Sequence, residues 1–163
     1  MAINYNQTST AMLLQLINED NGTTITQADI NFGTPSAYAG TGGRDTQVTV
    51  SPKIGRPFTG TFTFHYKRLN LGQAWPAGIQ FTTGTAYADT HAVLSLINTQ
   101  YNLQLDTSDI TNTTFTGGVA TLTAAPQSLV WKGTVQITLN APSVALSTVF
   151  TVAELNGFAY PTF

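Results

Sequence analysis

Hydrophobic residues recur at the spacing of one helical face in two segments that lie 80 positions apart. The positions are Leu13, Leu16 and Ile17 in the first segment and Val93, Leu96 and Ile97 in the second. Ser9-Thr10 and Asp89-Thr90 suit helix N-caps, and Asn21-Gly22 and Asn102 suit left-handed C-caps. The pattern predicts an amphipathic helix of about three turns in each half of the chain.

Strict alternation of apolar and polar residues follows each helix and predicts strands with one buried face. In the first half the alternation runs through Val48 and Val50, and again through Phe62, Phe64 and Tyr66. We expect the core to contain Leu16, Ile17, Leu96, Ile97, Phe62, Phe64, Val135 and Ile137. Further strands are predicted at residues 78–82, 119–124, 128–132 and 147–153.

Two sequence blocks occur twice in the same order. Residues 10–30 match residues 90–110 without a gap, and residues 58–66 match residues 131–139 at an offset of 73. Because both blocks keep their hydrophobic phase, they indicate an internal duplication. The sequence therefore predicts an α+β fold of two tandem degenerate repeats, each an amphipathic helix packed on a small antiparallel sheet or sandwich. The first unit is predicted at residues 1–82 and the second at residues 83–163, with an aromatic C-terminal tail.

Charge is scarce in this chain. Only 9% of the 163 residues are charged, the net charge is −2 and there is no cysteine. Such a chain has no disulfide or thiolate chemistry, and we expect neither nucleic acid nor membrane as a partner. A basic cluster at Lys53, Arg56, Lys67 and Arg68 is interleaved with aromatic residues. It is interpreted as a solvated face or a contact with an acidic neighbour rather than as a surface for single-stranded nucleic acid.

No combination of side chains indicates catalysis. His65 and His91 lack partners at catalytic or metal-binding spacing. Asp29 and Asp109 occupy equivalent positions of the two units, so they are interpreted as capping residues of short turns rather than as a catalytic pair. The Gly-rich loop at residues 33–46 leads into a strand and does not end in the Lys-Ser/Thr of a phosphate-binding loop. We therefore predict that the protein is not an enzyme, with no catalytic residue, cofactor or metal site.

Two segments are candidates for partner contacts: the loop at residues 33–46, which differs between the two units, and the apolar tail at residues 149–163. Loops on a common scaffold vary most readily, and clustered aromatic residues often anchor protein contacts. The candidate contact residues are Tyr38, Arg44, Asp45, Phe158, Tyr160 and Phe163.

The sequence LLQLINEDNGTTITQADINFGTP at residues 13–35 is followed by GGRDTQVTV at 42–50 and YKRLNL at 66–71. These segments together resemble a domain of virion structural proteins of tailed bacteriophages. The resemblance implies a non-enzymatic capsid decoration, neck or collar, or tail accessory protein, located in the virion and assembled in the bacterial host cytoplasm. It implies other virion proteins as partners, and a symmetric homo-oligomer or repeated copies. Its motifs are scaffold motifs, so no site residue follows from it.

A carbohydrate-binding module is the alternative from another class. It would use exposed aromatic side chains such as Trp75, Tyr38 or Tyr87 as stacking platforms. Burial of these rings against protein would favour the structural protein, and a row of rings facing solvent would favour the carbohydrate-binding module.

Overall fold

The computed structural model describes residues 3–143 and the single residue Val149. Over this part of the chain the fold is mixed α+β, as predicted, with three helices and three small sheets. The helices are α1 (Ser9–Asn21), α2 (Leu71–Ala74) and α3 (Leu94–Tyr101). The strands are β1 (Ile30–Phe32), β2 (Ser36–Ala37), β3 (Thr46–Pro52), β4 (Phe62–Tyr66), β5 (Leu69–Asn70), β6 (Ile79–Thr82), β7 (Ile110–Thr111), β8 (Val119–Ala124), β9 (Trp131–Lys132) and β10 (Thr134–Asn140).

Both predicted amphipathic helices are present and end where their left-handed caps were predicted. Gly22 ends α1 with φ 62°, and Asn102 ends α3 with φ 52°. The starts differ from the prediction: the N-cap of α1 is Thr8, whose Oγ1 accepts from the Ala11 N–H. Helix α3 begins only at Leu94, because the residues before it form turns.

An asparagine within each of α1 and α3 forms hydrogen bonds with the segment that follows the helix. The Asn18 side-chain amide donates to the Ile25 carbonyl at 2.7 Å and its oxygen accepts from the Ile25 N–H at 2.9 Å. Asn98 makes the same two hydrogen bonds with Leu105, at 2.8 and 2.9 Å. The amide thereby satisfies main-chain groups in the segment between helix and strand.

Strand β3 is the centre of the first sheet and pairs antiparallel with β1, β2 and β4. The second sheet has the order β6-β10-β8-β7. Strands β5 and β9 form a separate two-stranded parallel ladder. The two larger sheets use matching registers, since Val50 lies opposite Phe62 in the first and Leu122 lies opposite Val135 in the second.

Strand β6 belongs to the first predicted unit by sequence but extends the second sheet. It runs parallel to β10, with Ile79 opposite Ile137. Gly78 precedes it with φ 78°, and a Cβ there would lie 3.1 Å from the Gln136 carbonyl oxygen. Both the positive φ and this close approach require glycine. Residues 69–82 thus cross from the first sheet to the second.

The larger hydrophobic core lies at the second sheet, where Leu71, Ile79, Val93, Ile97, Leu122 and Ile137 are buried. A smaller cluster unites Leu13, Ile17, Val48 and Tyr66 with Leu129 of the second half. This arrangement confirms the predicted burial of Ile17, Ile97, Val135 and Ile137, while Leu16, Leu96 and Phe64 are only partly buried.

The predicted burial of Phe62 is wrong, because its side chain is exposed. It lies on β4, and no strand among residues 3–143 pairs with the outer edge of β4.

The remaining strand predictions have three outcomes. The strands at 78–82 and 119–124 are confirmed as β6 and β8. The strand predicted at 128–132 is shortened to Trp131–Lys132, because Ser128 lies in a turn that its N–H closes on Ala125. The strand predicted at 147–153 lies outside the described residues apart from Val149.

Replacing the fully buried Ile97 with alanine should lower the free energy of unfolding by about 2–5 kcal/mol, because the substitution leaves a cavity within the larger core. Urea unfolding followed by circular dichroism measures the loss. Ser95→Ala, at an exposed position of the same helix, is the matched control and should change stability by no more than about 0.5 kcal/mol. Equal losses in the two variants would contradict the assigned helix face.

Candidate interaction surface

The two halves of the chain are joined by hydrogen bonds from the end of β4 and from β5. The Tyr66 hydroxyl donates to the Leu129 carbonyl at 2.7 Å, and the Leu69 N–H donates to the Val130 carbonyl at 2.8 Å. Burial raises the pKa of Tyr66 to about 12, so the hydroxyl keeps its proton at physiological pH. The end of the first sheet is therefore fixed to the turn that precedes β9.

Asp45 lies at this junction. Lys132 of the second half donates to Asp45 Oδ2 at 2.6 Å, and Oδ1 accepts from the Thr46 hydroxyl at 2.7 Å and the Arg68 N–H at 3.2 Å. Partial burial opposes ionisation of this carboxyl group, but the hydrogen bonds outweigh burial and lower its pKa. Asp45, a predicted partner-contact residue, thus joins the two halves of its own chain.

The other predicted contact residues have different surroundings. Arg44 is exposed, whereas Tyr38 is partly buried and stacks on His65 with ring centroids 3.9 Å apart. Phe158, Tyr160 and Phe163 lie outside the described residues. The loop at residues 33–46 is partly structural as well, since β2 within it pairs with β3.

Asp29 and Asp109 occupy matching positions, but their environments differ, contrary to the prediction. Asp29 accepts from the Thr26 hydroxyl and N–H, which lowers its pKa, and lies 3.5 Å from Arg56. Asp109 is buried between the halves, where its Oδ1 accepts from Ser9 at 2.5 Å and from Ser128 at 2.6 Å. Its Oδ2 has no hydrogen-bond partner among the described residues. Burial raises the pKa of Asp109 against the effect of the two hydroxyl groups.

The basic cluster is largely engaged with main-chain carbonyl groups. Lys53 donates to Gln27 at 2.7 Å, and Arg56 Nε donates to Ala28 at 2.9 Å. Arg68 donates to the carbonyl groups of Ser128 and Trp131 across the junction. These three side chains stabilise the fold. Lys67, the fourth residue of the cluster, is exposed, and no hydrogen bond or ion pair of its side chain is seen within residues 3–143.

An exposed apolar surface lies at the β4 edge of the first sheet, on the face that also carries the buried Val50. Residues 53–61 are all exposed, including Ile54 and Phe58, and they lead into Phe62 on β4. The rings of Phe62 and Phe64 lie 4.8 Å apart. We call residues 53–64 the β4 face. Sequence periodicity missed it because alternation shows which residues share a face but not whether another element covers that face.

The aromatic residues considered for carbohydrate binding pack against protein. Trp75 lies 5.3 Å from Tyr101 and 6.0 Å from Trp131, measured between ring centroids. Tyr87 is partly buried against the larger core, and Tyr38 stacks on His65. The three rings therefore do not form a row that faces solvent.

Within the described residues no group of three or more His, Asp or Glu side chains could hold a metal ion. No helix there is long and apolar enough to cross a membrane. What this part of the chain offers instead is an α+β scaffold with joined halves and an uncovered apolar sheet edge.

These features define a class, a small mixed α+β protein whose most distinctive surface is apolar. The chain belongs to a family of unknown function, DUF7941, whose sequence profile matches residues 2–163. No curated protein and no solved structure matches the chain.

Asp109 should make stability depend on pH. Because burial raises its pKa in the folded chain, folding is favoured while the group is protonated, and that contribution is lost as pH rises from about 4 through the raised pKa. We expect Asp109→Asn to gain stability relative to the wild type between pH 4 and pH 7. Urea unfolding at several pH values measures this, with the exposed Asp20→Asn as a control for net charge. A stability difference between the wild type and Asp109→Asn that stays constant with pH would contradict the assignment.

Proposed function

We propose that this protein is a non-enzymatic structural component of a tailed-phage virion that acts through protein–protein contacts. Capsid decoration, neck or collar, and tail accessory roles all fit the proposal. The observation that carries it is the β4 face, a run of exposed residues with Ile54, Phe58 and Phe62 at its surface. Exposed apolar surface of this kind is typical of sites that contact another protein. The sequence resemblance of residues 13–71 supplies the virion setting.

The use of the charged and polar groups supports a structural role. Asp45, Arg68 and Lys132 join the halves, while Lys53 and Arg56 hold the turn at residues 27–29. Groups with shifted pKa often indicate active sites, but those of Asp29, Asp45 and Asp109 are each accounted for by contacts that hold the chain together.

We also propose that the two halves are degenerate copies of one unit. The matching strand registers, the paired Asn18 and Asn98 hydrogen bonds and the matched helix caps support this proposal. A duplicated scaffold suits a repeated assembly, because each chain then presents related surfaces to its neighbours.

Carbohydrate binding is the less favoured candidate. Sugar recognition by stacking needs an accessible ring face, whereas Trp75, Tyr87 and Tyr38 are each packed against other side chains. Phe58 and Phe62 are exposed, but phenylalanine carries no polar group to bind a sugar hydroxyl.

Association with virus particles tests the proposal. An epitope-tagged chain, expressed in the infected bacterial host, should sediment with density-purified phage at a fixed ratio to the major capsid protein. Recovery of the chain only in the particle-free fraction would contradict a virion role.

A matched pair of variants shows whether the β4 face or the loop makes the particle contact. Phe62→Asp should reduce the particle-bound amount because it places a charge in the apolar contact. Deletion of the exposed residues 40–42 tests the loop with little effect on stability, because it spares β2 and Asp45 and leaves three residues to connect Tyr38 to Asp45, which are hydrogen-bonded. Circular dichroism of each free variant confirms folding, and normal incorporation of both variants would leave the assigned surfaces without support.

A further inference from the structure

Matched positions of the two halves differ sharply in burial. Phe58 and Trp131 correspond at the offset of 73, yet Phe58 is 44% exposed and Trp131 is 3% exposed. Phe62 is 64% exposed, whereas its counterpart Val135 is 6% exposed. The difference arises because residues 69–82 cover the second sheet, and nothing among the described residues covers the first in the same way.

The connections that lead into β4 and into β9 and β10 also differ in burial, and again the one in the second half is the more buried. In the second half, residues 125–133 include the buried Ser128 and Leu129 and pack against the first half. The residues 53–61 that connect β3 to β4 in the first half are all exposed. A two-fold relation between the halves would bury both turns equally. The contact between the two halves is therefore head-to-tail, which means that each half contributes a different surface to it.

The segment that could cover the first sheet is present in the chain. GIQFTT at residues 78–83, which contains β6, is matched by GFAYPT at residues 157–162. Both begin with glycine, place large apolar residues at alternate positions and end in threonine. The alternate residues of β6, Ile79 and Phe81, are both buried. In the match between the two segments they correspond to Phe158 and Tyr160.

Pro161 fits this correspondence. The Thr83 N–H donates to the Asn140 carbonyl at 2.9 Å, so by strand alternation the N–H of Thr82 points away from β10, to the open edge of the sheet. Pro161 matches Thr82. A proline is tolerated in an edge strand where its missing N–H would have faced outward.

We propose that residues 157–163 of a second copy of this chain add to the outer edge of β4 as a parallel strand. Phe158 then lies opposite Phe64 and Tyr160 opposite Tyr66, the registers that Ile79 and Phe81 take opposite Ile137 and Leu139. The second half of the donor packs on residues 53–61 of the acceptor, as residues 125–133 pack on the first half within one chain. Main-chain pairing supplies affinity and the alternate apolar side chains supply register.

Because the contact is head-to-tail, each copy offers both a donor segment and an acceptor edge. Such a contact generates a closed ring if the rotation between copies closes, and an open filament if it does not. The inference deepens the proposed function, since it names another copy of the chain as the partner of the β4 face, but it can be tested on the purified protein alone.

Two complementary variants test it. Phe62→Asp blocks the acceptor edge and keeps the donor segment, whereas deletion of residues 157–163 removes the donor segment and keeps the acceptor edge. Sedimentation velocity should show oligomers for the wild type and monomers for each variant alone. An equimolar mixture of the variants should form a 1:1 dimer that grows no further, because only one productive donor and acceptor pair remains.

A synthetic peptide of residues 156–163 provides a second measurement. It should bind the deletion variant, and Phe62→Asp in that background should weaken binding at least about tenfold. Tyr5→Ser, which removes an exposed aromatic ring outside the β4 face, is the matched control and should leave binding unchanged. Circular dichroism verifies that each variant is folded.

A monomeric wild type would show that the segment does not act in trans and would overturn the proposal. So would a mixture that stays monomeric, or a peptide that binds equally well to Phe62→Asp. Particle incorporation without self-association would leave the proposed function standing and overturn only this inference. Self-association of a chain that never reaches particles would do the reverse.

Discussion

The parallel pairing of β6 with β10 is the constraint on which the rest of the structure depends. It draws residues 69–82 across to the second sheet and buries Ile79 and Phe81 there. The same crossing brings the end of β4 against the turn at residues 128–130, where Tyr66 donates to the Leu129 carbonyl. Once these main-chain groups are paired, Asp45 and Lys132 are close enough for their 2.6 Å ion pair. The polar contacts between the halves thus depend on the pairing of β6 with β10, and they add to its stability.

A chain with so few charges depends on where each one lies. Asp45 accepts three hydrogen bonds from Lys132, Thr46 and Arg68, which offset the cost of its partial burial. Asp109 accepts from the Ser9 and Ser128 hydroxyl groups, and its second oxygen has no partner in the described part of the chain, so burial dominates. Two carboxyl groups at the same junction therefore shift their pKa in opposite directions, because Asp109 is more deeply buried and accepts only from neutral hydroxyl groups, whereas Asp45 is partly buried and accepts from the Lys132 ammonium group as well.

Local features of this fold could be predicted from sequence because they depend on neighbouring residues. Helical spacing, αL caps at Gly22 and Asn102 and the alternation of β8 each involve a few consecutive positions. The sheet that β6 joins could not be predicted, because it depends on which distant edge is available. The same limit explains why the predicted environments of Phe62 and Asp109 were wrong. Alternation predicted that Phe62 is buried, but no distant segment within residues 3–143 covers it. The sequence match predicted that Asp109 resembles Asp29, but contact with Ser9 of the other half buries Asp109.

The two larger sheets share strand registers but not surroundings, and the difference has a physical consequence. In the second sheet the edge of β10 is paired, and its residues Val135 and Ile137 are buried. Strand β4 has an edge that no strand within residues 3–143 pairs with, and Phe62 and Phe64 lie beside it. Soluble proteins usually protect such edges with charge, proline or a covering element, because unprotected edges pair with other chains. The five residues of β4, FTFHY, include no Asp, Glu, Lys, Arg or proline. An apolar edge without protection is better suited to forming a specific strand contact than to remaining exposed.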